Sequence, residues 1–234
     1  MTVLILPTYN ERDNLPAMIE ALMALRDLSV LVVDDGSPDG TGQLADGLAA
    51  ASGGRVQVMH RRGARGLGRS YIDGMRRALA DGASLVCQMD ADFSHDPRDV
   101  PRLVAAAGSA DLVVASRYIP GGEVRNWPRR RRMLSAVANS YVRALTRLQV
   151  HDATSGFRCW RRELLMKLPL DRILSEGYAF QVEMAWLAQA AGARIVEVPI
   201  TFVERRQGAS KLSSRVIVES LVLPWRLAAR PRRR

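Results

Sequence analysis

Asp90 and Asp92 are the residues whose type and spacing most directly suggest chemistry. They close an apolar run over residues 84–89, and in an extended backbone two side chains at i and i+2 leave the same face. Carboxylates held side by side repel one another unless a cation is shared between them. An oxygen-only pair with few other protein ligands suits Mg²⁺ or Mn²⁺, which keep waters and borrow ligands from a substrate phosphate. The plainer alternative is a strand-end turn in which an aspartate caps the helix that Pro97 opens. Two further polar clusters also follow apolar runs: Thr8, Tyr9, Asn10 and Glu11 after residues 2–7, and Asp34-Asp35 after residues 30–33.

These clusters must be positioned by the elements before them. Residues 2–7, 30–33, 84–89 and 112–115 read as strands of apolar, buried type, and 56–60 as a weaker strand. Between them lie helical patterns: Leu15, Met18, Ile19, Leu22 and Leu25 with Asp13 or Asn14 as cap and Pro16 in the first turn, then residues 41–51, 66–80 and 98–107. Such alternation predicts an α/β fold with a mostly parallel sheet flanked by helices, and ligands bind such sheets at the carboxyl ends of their strands. After Arg117 the pattern changes. A glycine loop and four arginines precede a helix over 133–148. Residues 152–160 read as a short polar strand, followed by a helix over 180–191, a strand over 194–199 that residues 200–203 extend, and a terminal helix over 215–229.

With 234 residues there is length for a full core in one domain, or one domain and a small appendage. The balance of 34 basic to 24 acidic residues gives +10, clustered in residues 129–132 and in Arg226, Arg230 and residues 232–234. Clustered arginines point to a polyanion: nucleic acid, a membrane surface or phosphorylated substrates. The arginine block has no interleaved aromatics and no helix-turn-helix, so nucleic acid is not the expected partner. Trp127 and the apolar, arginine-bearing end of the chain fit an interfacial helix, and a helix docked on its own domain fits equally. No uncharged apolar stretch reaches 18 residues, and no signal segment is apparent. Cys87 and Cys159 read as reduced thiols in a cytoplasmic setting. The glycines of Gly63-Ala64-Arg65-Gly66-Leu67-Gly68 do not have dinucleotide spacing, and there is no Walker loop, serine elbow or zinc spacing. His60, His95 and His151 read as turn or surface residues rather than ligands.

Taken in order, residues 6–11, 33–41, 66–68, 89–95, 116–118, 126–128, 154–158 and 208–212 resemble the dolichol- or polyprenol-phosphate mannose synthases from residue 3 to about 223. These are inverting glycosyltransferases of the GT-A fold, and the chain is most similar to their soluble, actinobacterial-like type. The resemblance implies a catalytic domain over 1–212 and an amphipathic helix with a basic tail over 213–234. It implies transfer of mannose from GDP-mannose to a polyprenyl monophosphate; the alternative is a polyprenyl-phosphate glucosyltransferase using UDP-glucose. It also implies a peripheral place on the cytoplasmic face of the membrane, with a separate membrane protein as a possible anchor.

Carried over residue by residue, Pro7, Tyr9, Glu11, Val33 and Asp35 match positions that hold the guanosine. Tyr9 would pack on the base and Asp35 would accept from its edge. Asp90 and Asp92 match the metal motif, with the backbone at Ala91 near the ribose. Ser94 stands where some members have a glutamine metal ligand and has a shorter reach. Arg117, Arg205 and Lys211 match donor or phosphate contacts, with Asp92 and Arg117 the implied catalytic pair. Arg131 and Ser135, four apart on one helical face, match the acceptor-phosphate site. At Ala64 many members have lysine, and Arg65 is the neighbouring cation.

Overall fold

In a computed structural model, which describes residues 1–204 and 214–229, the expected alternation runs through the first half of the chain. It comprises β1 (Thr2–Thr8), α1 (Leu15–Met23), β2 (Leu28–Asp34), α2 (Thr41–Ala50), β3 (Val56–His60), α3 (Leu67–Ala80), β4 (Leu85–Gln88), α4 (Val100–Ala106) and β5 (Leu112–Ser116). The strands read as continuous apolar runs because both faces are covered. In β1, Ile5 enters one apolar cluster with Val33, Tyr71, Met75, Trp160 and Phe180. Its neighbours Leu4 and Leu6 enter the other, with Met18, Leu22, Leu103 and Phe157. Alternate side chains of a pleated strand thus tie α3 and α7 (Gly177–Ala190) to one face and α1 and α4 to the other.

The seven-stranded sheet has the order β3-β2-β1-β4-β7-β5-β8, with β7 (Arg158–Arg161) and β8 (Ile195–Pro199) from the second half. Every neighbouring pair is parallel except at β7, which is antiparallel to both β4 and β5. Arg158 pairs with Gln88 on one side and Val114 on the other, so the chain enters β7 at the edge where β4 and β5 end. The polar strand expected over 152–160 is therefore mostly loop: residues 152–157 lie at that edge, and the strand itself runs over 158–161. Cys87 and Cys159 face each other across β4 and β7 as buried free thiols.

Two differences from the expected elements matter for the site. A second sheet pairs β6 (Glu123–Arg125) with β9 (Thr201–Val203), so residues 201–203 leave the main sheet after Pro199 instead of extending β8. The helix expected from residue 133 begins four residues earlier, as α5 (Arg129–Thr146), with Pro128 before it. Arginine is a good helix former, and Arg131 gains Glu204 and the Trp127 ring there, which offsets the poor fit of cations to a helix N-terminus. A short helix, α6 (Arg162–Leu165), follows β7, and α8 (Ser214–Ala228) packs on α5 and α7. Leu223 and Leu227 of α8 are buried while Leu221, Val222 and Trp225 are exposed. Among the described residues no helix is long and apolar enough to cross a membrane.

Candidate active site

Because β2, β1 and β4 are adjacent and parallel, the polar clusters after them share one edge of the sheet. The backbone does not stay extended past β4, and Phe93 has φ +58°. Asp90 and Asp92 are consequently held by separate partners. Asp90 accepts a 2.9 Å hydrogen bond from the Tyr71 hydroxyl, while buried Asp92 accepts from the Ser94 backbone at 3.0 Å and the Ser94 hydroxyl at 2.6 Å. Burial first, then Asp90 and more weakly Asp92, push the Tyr71 pKa well up, so both carboxylates act on one hydroxyl that stays a donor. Next along the chain, His95 lies in the bend after β4, one of the two settings the sequence suggested, and is buried there. Its ring lies 5.2 Å from that of Phe157 and 5.3 Å from that of Phe202, and burial lowers its pKa.

Among the residues expected to hold the nucleoside, Tyr9 meets Arg65, the cation next to Ala64. The Arg65 guanidinium lies 4.8 Å from the Tyr9 ring centroid and donates to its hydroxyl. Asp35 accepts from Arg61, which also binds Asp73 at 2.8 Å, and from the Gly66 amide at 2.8 Å. Glu11 takes the Asn14 side-chain amide at 2.9 Å, so Asn14 does not cap α1 with its side chain as expected. Pro7 is half-buried, and the Val33 and Ala91 side chains are in the core, which leaves their backbones for any ligand contact. Asp34, the first carboxylate of its pair, binds Thr8 and Ser37 and so pins the turn after β2.

The Gly66-Leu67-Gly68 segment is small because Glu176 and Ser175 pack onto it. A Cβ at Gly68 would come within 2.6 Å of the Ser175 carbonyl oxygen, and the Gly68 amide donates to Glu176 at 2.8 Å.

Beyond β7, Arg117 is buried and doubly bonded to fully buried Asp152 through Nε and Nη2, each at 2.7 Å, with Nη2 also 2.9 Å from the Thr154 hydroxyl. Burial pulls the Arg117 pKa down, but Asp152 more than reverses this and the net direction is upward. The rings of Tyr118 and Phe202 each lie 5.2 Å from the guanidinium, and that of Trp127 lies 5.7 Å away. Asn139 joins Thr154 to α5, donating to the Ser135 carbonyl at 3.0 Å and the Thr154 hydroxyl at 3.2 Å. Arg131 and Ser135 are thus on the face of α5 that approaches Arg117. Arg131 is paired with Glu204 at 2.6 Å, and its guanidinium sits 4.1 Å from the Trp127 ring centroid. Arg205 and Lys211 lie outside the described residues.

Sequence reasoning missed Asp152, Asn139, Arg61, Tyr71 and Gln181. A signal existed for one of them: an amide inside the apolar run of α7. A buried amide requires a partner, so its position asks what it bonds.

Residues 3–168 match the model of the family described as Glycosyl transferase family 2. The chain belongs to that family. Over 98% of its length this glycosyl transferase is 49% identical to the polyprenol monophosphomannose synthase of Mycolicibacterium smegmatis, spanning 88% of that protein. It is 47% identical to the undecaprenyl-phosphate mannosyltransferase of Micrococcus luteus, over 97% of this chain and 94% of that one. Two crystal structures share its fold. One is of a mycobacterial protein, with TM-score 0.69, 21% identity, 97% of this chain and 75% of the other. The second is S. aureus TarS 1–349 in complex with UDP-GlcNAc, with TM-score 0.64, 17% identity, 95% of this chain and 65% of the other. The expected GT-A glycosyltransferase fold is borne out.

Proposed function

We propose that this glycosyl transferase moves mannose from GDP-mannose to a polyprenyl monophosphate with inversion at the anomeric carbon. The observation that carries the reading is the 49% identity, across nearly the whole chain, to a polyprenol monophosphomannose synthase. On this reading Tyr9, Glu11, Asp35 and the backbones at Pro7, Val33 and Ala91 receive the nucleoside. Arg205 and Lys211 belong to the donor phosphates on the resemblance alone.

The donor set supports a divalent cation. Asp90, Asp92 and the Ser94 hydroxyl are hard oxygen donors of the kind Mg²⁺ or Mn²⁺ prefer. Among the described residues there is no cluster of three His, Cys, Asp or Glu, so a substrate diphosphate would complete the coordination. Bound there, the ion supplies Lewis-acid stabilisation of the charge that develops on the leaving diphosphate.

The remaining work falls to the chain's own side chains. A phosphate monoester is ionised near neutral pH, so the nucleophile needs positioning rather than deprotonation. Arg131 and Ser135 grip it, with Trp127 and Glu204 fixing the Arg131 fork. Asp152 and Thr154 hold Nε and Nη2 of Arg117, and its Nη1, which makes no side-chain hydrogen bond among the described residues, would reach a substrate oxygen. Two anions must approach one another in this reaction, which accounts for the basic surroundings.

The acceptor's hydrocarbon calls for a membrane surface. On α5, Met133, Leu134 and Val137 are exposed directly after the arginine block, and Leu221, Val222 and Trp225 are exposed on the adjoining α8. Arginine beside exposed apolar and tryptophan side chains suits the headgroup layer. On this reading the enzyme works peripherally on the cytoplasmic face, with catalysis in 1–212 and membrane contact through 213–234 and a separate membrane-anchoring protein. Incubation of radiolabelled GDP-mannose with a short polyprenyl phosphate, with and without chelator, tests the reading. Labelled lipid that chelator abolishes and GDP inhibits better than UDP supports it. Labelling from UDP-glucose in place of GDP-mannose overturns it.

A further inference from the structure

Gln181 is 2% exposed, yet neither its Oε1 nor its Nε2 has a hydrogen-bond partner among the described residues. Leaving a buried amide unsatisfied is costly, so each such group calls for a partner that the free protein does not supply. The residue is also firmly placed. Fully buried Arg158 donates to the Gln181 carbonyl at 2.8 Å and to the carbonyls of Ala153 and Ser155 at 2.8 and 2.9 Å, locking this turn of α7 to the loop at the sheet's edge. Beside it, Phe180 stacks on Tyr71, the residue that bonds Asp90.

A glycine lies next to both the amide and the proposed metal motif. A Cβ on Gly156 would lie 3.4 Å from Gln181 Nε2 and 3.7 Å from each Asp90 carboxylate oxygen. The Gly156 position is thus in van der Waals reach of both an acid and an amide whose two ends have no partner among the described residues, and only a hydrogen stands there.

We infer that Gln181 binds hydroxyls of the sugar being transferred and helps to set which sugar is accepted. This rests on the proposed transfer reaction, in which Asp90 serves the diphosphate to which that sugar is attached. The chemistry of the amide selects the ligand. A phosphate oxygen satisfies Nε2 and leaves Oε1 unpaired beside further negative charge. Sugar hydroxyls both donate and accept, so neighbouring hydroxyls of a hexose satisfy both ends. A carboxylate here would stand close to Asp90 and to two anionic substrates; the neutral amide avoids that repulsion. Sites built to bond a hydroxyl discriminate strongly against ligands that lack it.

The test is Gln181→Leu, with Gln181→Met as an unbranched second variant should leucine crowd Phe180. Transfer is measured with the nucleotide sugar that the wild-type enzyme uses and with its deoxy-sugar analogues, GDP binding by calorimetry, and stability by thermal melting. The expected result is at least a tenfold loss of kcat/KM for the intact sugar and a collapsed preference over one or more deoxy analogues. GDP affinity should stay within twofold, and the melting temperature should hold or rise because an orphaned amide has been removed. Wild-type transfer by either folded variant would overturn the inference, as would equal weakening of GDP and of the nucleotide sugar. A wild-type enzyme that turns over no nucleotide sugar would instead overturn the function itself, and the inference with it.

Discussion

Replacing Asp152 with alanine should show how far the position of Arg117 depends on one buried ion pair. Asp152 is 0% exposed and accepts from the Arg117 backbone at 2.9 Å as well as from two guanidinium nitrogens. The variant leaves the Arg117 charge buried, with only the Thr154 hydroxyl and the aromatic rings around it. Removing one member of a buried pair costs about 3–5 kcal/mol. For a domain of this size each kcal/mol shifts the melting temperature by about 2–4 °C, so a fall of roughly 10 °C is expected. Guanidinium chloride unfolding followed by circular dichroism measures the loss. The double variant Arg117→Met/Asp152→Leu should recover most of the stability, since an apolar pair of similar volume can replace a buried ion pair. It should not recover transfer. A single variant that loses less than about 1 kcal/mol, or a double variant no more stable than the single, would refute the argument that an uncompensated charge sets the cost.

Asp90→Asn should abolish transfer while melting within a few degrees of wild type, because an amide still accepts from Tyr71 but binds a divalent ion poorly; lipid labelling and a melting curve check it. Gly68→Ala should lower stability by about 1–3 kcal/mol, measured by denaturant unfolding, because the new methyl meets a backbone oxygen that cannot swing away. Burial raises the Asp39 pKa, but hydrogen bonds from Thr41 and Arg12 outweigh it and hold the carboxyl below its ordinary 3.8. Its contribution is therefore complete above about pH 3.8 and is lost as pH falls through the lower folded value, so Asp39→Asn should flatten part of the acid limb of a stability–pH curve. Substituting serine for Met133, Leu134 and Trp225 together should release the protein from anionic vesicles in a sedimentation assay while leaving the melting temperature nearly unchanged.

The parallel strands were legible because doubly covered strands write themselves as apolar runs, and each run here ends in a polar cluster. Asp90 and Asp92 stood out for the same reason. Their actual arrangement was not legible: the bend at Phe93 is a backbone conformation that no periodicity announces. β6 and β9 have three residues each, too few to show a period. The insertion of β7 between β4 and β5 is decided by tertiary pairing, and Arg158 inside that strand is wholly buried. Asp152 and Gln181 matter through what lies beside them, which composition and spacing do not record.

The position of β7 bears on attempts to build hybrid enzymes. Residues proposed to receive the nucleoside all precede Ser116, and those proposed to grip the lipid phosphate all follow it, which invites a simple splice there. Such a splice would cut through the sheet's interior, because β7 from the later half is wedged between two strands of the earlier one, with Leu85 against Arg161 and Val113 against Cys159. A working chimera would need to carry the facing residues of β4 and β5 along with the imported β7, so the two recognition tasks, though separate in chain order, are inherited as one interlocked unit.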